Sequence, residues 1–218
     1  MGLMFFYARK FNKPINSWNV SNVTNMWQMF SYALSFNMPL NNWNVSKVTN
    51  MANMFSHAES FNKSLNNWDI SNVTDLSHMF ACAKSFNKPL GNWDVSNIDN
   101  MIGLFIEAIS FNQSLNNWDV SNVTDMSLMF AGAYAFNKPL NKWNVSNVTC
   151  MNRMFANTYA FNQDISNWDV SNVNNMDFMF YNAREFNQPL NNWDVRNVTA
   201  HSVIFGGCPI KTRFKPKF

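Results

Sequence analysis

Tryptophan recurs at positions 18, 43, 68, 93, 118, 143, 168 and 193, a spacing of 25 with no insertion. Two phenylalanine columns keep the same period. One runs through Phe30, Phe55, Phe80, Phe105, Phe130, Phe155, Phe180 and Phe205. The other runs through Phe11, Phe36, Phe61, Phe86, Phe111, Phe136, Phe161 and Phe186, each followed by Asn. Fixed-period self-similarity of this kind arises when one supersecondary unit is stacked on copies of itself. The chain is therefore expected to form a single solenoid of eight 25-residue coils over residues 1–208, followed by a short tail, 209–218. One unit cannot cover its own Trp and two Phe. Stacking hides them against their equivalents, at roughly 2–3 kcal/mol for each large aromatic buried.

Within a unit, Met51, Met54, Phe55 and Ala58 lie at i, i+3, i+4 and i+7. That spacing predicts one apolar stripe of a short helix. The preceding column, Thr24, Thr49, Thr74, Asp99, Thr124, Thr149, Asn174 and Thr199, is expected to cap its start. Phe61-Asn62 is expected to end it, since Asn tolerates a left-handed backbone. Residues 42–46 alternate polar and apolar, which predicts a short parallel strand with Trp43 and Val45 inward and Asn44 outward. The prolines Pro14, Pro39, Pro89, Pro139 and Pro189 mark a turn or edge, because Pro cannot donate to a ladder. The Asn columns at 37, 62 and at 42, 67, 92, 117 are expected to bond copy to copy through their side-chain amides. The fold class expected is an α/β repeat solenoid, leucine-rich-repeat-like, with a short parallel strand and a short helix per coil.

Four of the sixteen basic residues, Lys211, Arg213, Lys215 and Lys217, lie in the tail, leaving twelve against thirteen acidic residues in the body. A neutral body argues against a nucleic-acid groove along the solenoid, because phosphate binding needs clustered Lys and Arg. The charged, proline-containing tail reads as a cap that blocks edge-to-edge growth. No run approaches the roughly 20 apolar residues that span a bilayer. The three cysteines, Cys82, Cys150 and Cys208, fall at unrelated places in the repeat and read as free thiols.

The opening stretch Met4 to Asn12 aligns with Met29 to Asn37, so the chain begins in mid-repeat. The expectation is either a fragment of a longer protein or a first coil covered by something else, and self-association through coil ends is a second expected contact. The opening apolar run is too short for a signal peptide and no basic region precedes it.

The unit Asn116 to Leu140, NNWDVSNVTDMSLMFAGAYAFNKPL, resembles the repeat of BspA-like leucine-rich-repeat surface proteins, which share it with a mycoplasma-type lipoprotein repeat of unassigned function. The resemblance extends to about Gly207. It implies parallel strands on one side of the solenoid, helical turns on the other, and roles in adhesion and protein–protein interaction on bacterial surfaces or in large DNA viruses. It supplies no catalytic residue. Surface members carry a signal peptide, lipobox or anchor that is not visible here. The expected location is therefore cytoplasmic or virion-associated, unless the chain is a fragment of a surface protein.

The column Asn19, Asn44, Asp69, Asp94, Asp119, Asn144, Asp169 and Asp194 stacks carboxylates as a calcium site would. Three Asn interrupt it and no calcium loop accompanies it, so turn capping is the favoured role. The ten N-x-S/T sequons, among them Asn19, Asn62, Asn112, Asn144 and Asn197, arise from the repeat itself. His57, His78 and His201 belong to no metal or catalytic motif, and no nucleophile–base–acid set is assembled from unique residues. No enzyme activity, cofactor or metal is expected. The residues that change from coil to coil carry more information. Trp27, Ile102, Ile106, Ile109, Tyr134, Tyr159, Phe178 and Tyr181 are expected to form an apolar interaction surface. The expected function is a non-enzymatic protein-binding scaffold or adhesin-like surface protein, with a glycan as the second ligand class. The alternative is an assembly component that stacks end to end.

Overall fold

The computed structural model describes all 218 residues. The chain winds into a solenoid in which each turn rests on the one before. Neighbouring coils meet in parallel bridges along one column: Asn25, Asn50, Asp75, Asn100, Asp125, Cys150, Asn175 and Ala200. The parallel contact thus falls one residue after the threonine column and is a single residue wide. The strand expected at 42–46 does not form. Trp43 and Val45 do point into the core and Asn44 does face solvent. The alternation there reports burial, and the backbone turns at Leu40–Trp43 and Val45–Val48 instead, through N–H to C=O bonds of 3.1 and 2.9 Å.

The expected helix is also absent; the one helical element is the 3-10 turn Thr212–Phe214 in the tail. Residues 51–58 and their equivalents form tandem turns. In the first complete unit the N–H groups of Met29, Ser31 and Ala33 donate to the carbonyls of Met26, Gln28 and Phe30. The alternate N–H groups, of Met26, Gln28, Phe30 and Tyr32, donate across to Asn50, Ala52, Met54 and Ser56 in the next coil at 2.8–3.0 Å. A helix would keep all of these bonds inside the segment. The left-handed backbone sits inside the turn segment, at Gln28 and Tyr32, Asn53 and His57, His78 and Cys82, and so on along the chain, with φ from 50 to 71°. Asn62, expected to hold that conformation, does not. Non-glycine residues resist it by roughly 1–2 kcal/mol each. In the internal coils they hold it because the next coil has a carbonyl waiting for every second N–H. The apolar spacing nonetheless marked the buried face correctly, since Met51, Met54, Phe55 and Ala58 are all fully buried.

The threonines are not helix caps. Thr49 donates both its N–H (2.8 Å) and its hydroxyl (3.3 Å) to the carbonyl of Thr24 one coil below. Capping falls to the bridge column, where Asn25, Asn50, Asp75, Asn100, Asp125 and Asn175 accept the N–H two residues on. The asparagine ladder at 12, 37, 62, 87, 112, 137, 162 and 187 exists in altered form. Each Oδ1 accepts the backbone N–H of the Asn one coil ahead, at 2.9–3.1 Å, and Asn187 passes the ladder on to Lys211. In the column of Asn42 and Asn92 the backbone N–H is what is bonded, by Asn16 and Asn66, so no amide-to-amide ladder runs there.

Inside, aromatic rings stack in near-parallel columns. Phe30 lies 4.2 Å from Phe36 within its coil and 5.5 Å from Phe55 in the next. Trp93 and Trp118 are 6.4 Å apart with rings 3° from parallel. From Trp43 onward each indole N–H donates to a core carbonyl 28 residues earlier, as Trp118 does to Leu90 at 3.0 Å. The two ends differ. Trp18 is 40% exposed while the later members of its column are nearly covered. At the other end the tail folds over the last coil. Ile210 is buried, Leu190 donates to Phe214, Lys215 lies over the Phe205 ring and Phe218 stacks on His201. No helix is long and apolar enough to cross a membrane.

Candidate functional site

The turn ladder presents two outward-facing columns at its left-handed positions, with a third between them. One left-handed column reads His57, Cys82, Glu107, Gly132, Asn157, Asn182; the one between reads Ala81, Ile106, Ala131, Ala156, Tyr181. At Ala131, Gly132 and Ala156 the side chains shrink, while their neighbours in the flanking coils stay large. The result is an open notch of about 450 Å³. Ile106 and Glu107 close it on one side, Phe178 and Tyr181 on the other, and Leu128, Arg153, Tyr134 and Asn157 complete the rim. Its volume falls in the range of small-ligand and side-chain pockets.

Four of the eight residues expected to form an interaction surface, Ile106, Tyr134, Phe178 and Tyr181, converge on this notch. Tyr159 stands beside it, stacked on Tyr134 at 4.6 Å and covered by the Arg184 guanidinium at 4.2 Å. Ile102 and Ile109 are partly buried and do not line it. Trp27, 39% exposed, sits three coils towards the N-terminus and is not part of the patch. The expectation based on large apolar residues missed Glu107, Arg153 and Gly132. The legible signal was the shrinkage to Ala131, Gly132 and Ala156 inside a variable column.

The charged groups of the notch have little company. Glu107 takes part in no ion pair; its Oε2 accepts a 3.4 Å contact from the Cys82 thiol. Arg153 lies 5.0 Å over the Phe178 ring and likewise pairs with no carboxylate. Burial, then the Glu107 charge, push the Cys82 thiol up to about 12. It stays protonated at neutral pH and is a poor nucleophile.

The Asp/Asn column on the opposite corner is tied into its own turns. Asp69 Oδ1 accepts the Ser71 N–H at 3.1 Å and hydroxyl at 2.7 Å, and Asn44 holds Ser46 in the same way. These bonds keep the carboxylates of Asp69, Asp119 and Asp169 below their usual range. No three His, Cys, Asp or Glu side chains converge in a metal-binding geometry. Among the sequon asparagines, Asn62 and Asn112 carry the ladder, and Asn197 donates to the Ser171 carbonyl at 2.7 Å.

Comparison with known proteins agrees with the repeat. A search of curated proteins returns no significant match. Among solved structures, an internalin from Listeria monocytogenes is similar at 10% identity, over 84% of this chain and 70% of that one, with a TM-score of 0.25, too low to define the fold. The family model described as "Mycoplasma protein of unknown function, DUF285" matches four overlapping stretches, 1–88, 39–130, 62–149 and 110–215. Together these stretches cover almost the whole chain, and the protein belongs to the DUF285 family of mycoplasma-type repeat proteins of unknown function.

Proposed function

We propose that this protein is a non-enzymatic scaffold that binds another protein through the outward columns of its turn ladder, in the manner of the BspA-like surface proteins its repeat resembles. The observation that carries the reading is the notch. It is where the outward columns shrink to Ala and Gly, and it gathers exposed Tyr134, half-exposed Phe178, exposed Tyr181 and two unpaired charges on one surface. Aromatic and Arg side chains around a recess are what protein interfaces use as anchors. Of the other ionisable groups, the Asp column holds turns, and the Cys82 thiol is held protonated. Both favour a binding role over a catalytic one. Affinity capture with crosslinking and mass spectrometry tests it, using the intact protein and a copy lacking 209–218. A specific protein retained by both, crosslinked beside residues 106–181, is the expected result. Recovery of this chain alone would sink the reading.

End-to-end assembly is the second reading, favoured by the ends of the ladder. The N–H groups of Val203, Phe205 and Gly207 donate to no carbonyl, and the carbonyls of Gly2, Met4 and Phe6 accept nothing from the protein. Placed in the register of the internal coils, these two rows match one to one. A copy stacking in this way would have to move the tail aside. Sedimentation velocity across a hundredfold concentration range tests it, with a monomer at all concentrations counting against it.

A further inference from the structure

We infer that the notch receives an extended segment of the partner in which one large apolar side chain is flanked by a basic and an acidic residue. The inference rests on the protein-binding reading and names the chemistry of its partner. The floor, Ala131, Gly132 and Ala156, carries no side-chain hydroxyl or amide; such groups stand at the rim, on Tyr134, Tyr181 and Asn157. It exists because Gly132 lacks a side chain where its column carries Glu107 on one side and Asn157 on the other. A large apolar side chain fills such a recess, and the aromatic rims of Tyr134 and Tyr181 extend its contact.

The charges set the flanks. Glu107 and Arg153 stand at the rim two coils apart along the axis and in different columns of the ladder, so their separation is at least roughly 10 Å at about 4.8 Å per layer. Neither is in an ion pair, so an occupant that covers them without opposite charges would leave both desolvated and unpaired. An extended peptide covers that distance in three or more residues. The fitting segment therefore places Lys or Arg against Glu107 and Asp or Glu against Arg153, three or more residues apart, with the apolar anchor between. A neutral saccharide satisfies neither charge and would set hydroxyls on an apolar floor.

The test is selection of a random 12-residue peptide library on the immobilised full-length protein, followed by affinity measurement of the enriched peptides. The expected consensus is a basic and an acidic residue bracketing a large apolar one. Gly132→Asn is expected to weaken these peptides at least tenfold, with a small drop in melting temperature from the left-handed backbone at φ +71°. Asn157 and Asn182 already occupy that column with φ of 56 and 54°, so the fold tolerates Asn there, although an added Cβ at Gly132 meets the Glu107 Cγ at 3.2 Å and must push it by a few tenths of an ångström. Ala131→Ile, which repeats the residue found at Ile106, is the second filling variant. Glu107→Lys with Arg153→Glu should reverse the charge order of the peptides selected. Peptides that bind Gly132→Asn and Ala131→Ile as well as the original would overturn the inference and leave the scaffold reading standing. So would binding of methyl glycosides at the notch in place of peptides. An empty selection overturns it as well, and an empty affinity capture alongside would remove the scaffold reading too.

Discussion

At the scale of single residues, the same side chain that stabilises a turn sets the response to acid. Asp69, Asp119, Asp164 and Asp169 have depressed carboxyl pKa values, chiefly because the hydroxyl and N–H of a serine two residues on bond to them. Asp194 falls to about 2 beside Arg196. A group whose pKa is lower folded than unfolded contributes stability above its unfolded value and loses it as pH falls through the folded one. Thermal melting should therefore hold between pH 5 and 7 and drop steadily from about pH 4 downward. The column supplies its own control, because Asn44 makes the same pair of bonds without titrating. Changing Asp69, Asp119 and Asp169 to Asn should keep the neutral-pH melting temperature and flatten the acid limb; an unaltered acid limb would locate the titration elsewhere. A second residue-scale outcome concerns Cys82. Removing the neighbouring carboxylate with Glu107→Gln should lower the thiol pKa and speed its alkylation by iodoacetamide at pH 8.5, although burial will keep it slower than an exposed thiol.

The repeated element shows what the sequence could and could not disclose. Three aromatic columns and a 25-residue period gave the solenoid and the inward faces of Trp43, Val45, Met51 and Phe55. They did not give the backbone. Spacing at i, i+3, i+4 and i+7 marks residues that share a face. A train of turns with a left-handed residue every four positions puts the same residues on one side as a helix does. The difference lies in where alternate N–H groups go, and their acceptors are a whole coil away at Asn50, Ala52 and Met54. No local window contains that information. The candidate site was partly legible for the same reason. Large variable residues stood out, but a recess is made by what is missing, and Gly132 gains its meaning only beside Glu107 and Asn157. Left-handed strain is a property of this element and can be measured. Val203 is β-branched at φ 50°, and Val203→Gly should raise stability by roughly 1 kcal/mol. Gly103 is the converse, since an added Cβ would meet the His78 ring at 2.6 Å at φ +58°. Gly103→Ala should lower the melting temperature, and denaturant titration of both variants decides whether the turn geometry is as described.

The whole molecule is a one-dimensional stack, and its cooperativity depends on contacts between neighbouring coils. Trp118 is the sharpest place to test this, because it belongs to three ladders at once. Its ring stacks between Trp93 and its own coil's Phe105, its indole N–H donates to Leu90, and it is 3% exposed. Trp118→Ala removes the packing and the indole bond to Leu90, whose carbonyl keeps the Trp93 N–H, with an expected cost of roughly 3–5 kcal/mol. In a globular core that loss would lower one transition. In a stack it falls at a single interface, and the coils on either side keep their own contacts. The tail-capped half, which buries Ile210 and covers Phe205, should then outlast the half that ends on exposed Trp18. Denaturant unfolding followed by hydrogen exchange should resolve two transitions, with residues before 118 losing protection first. A single transition displaced by the full cost would mean that coupling between coils exceeds the loss, and that the solenoid unfolds as one unit. A change near zero would remove the tryptophan column from the core altogether.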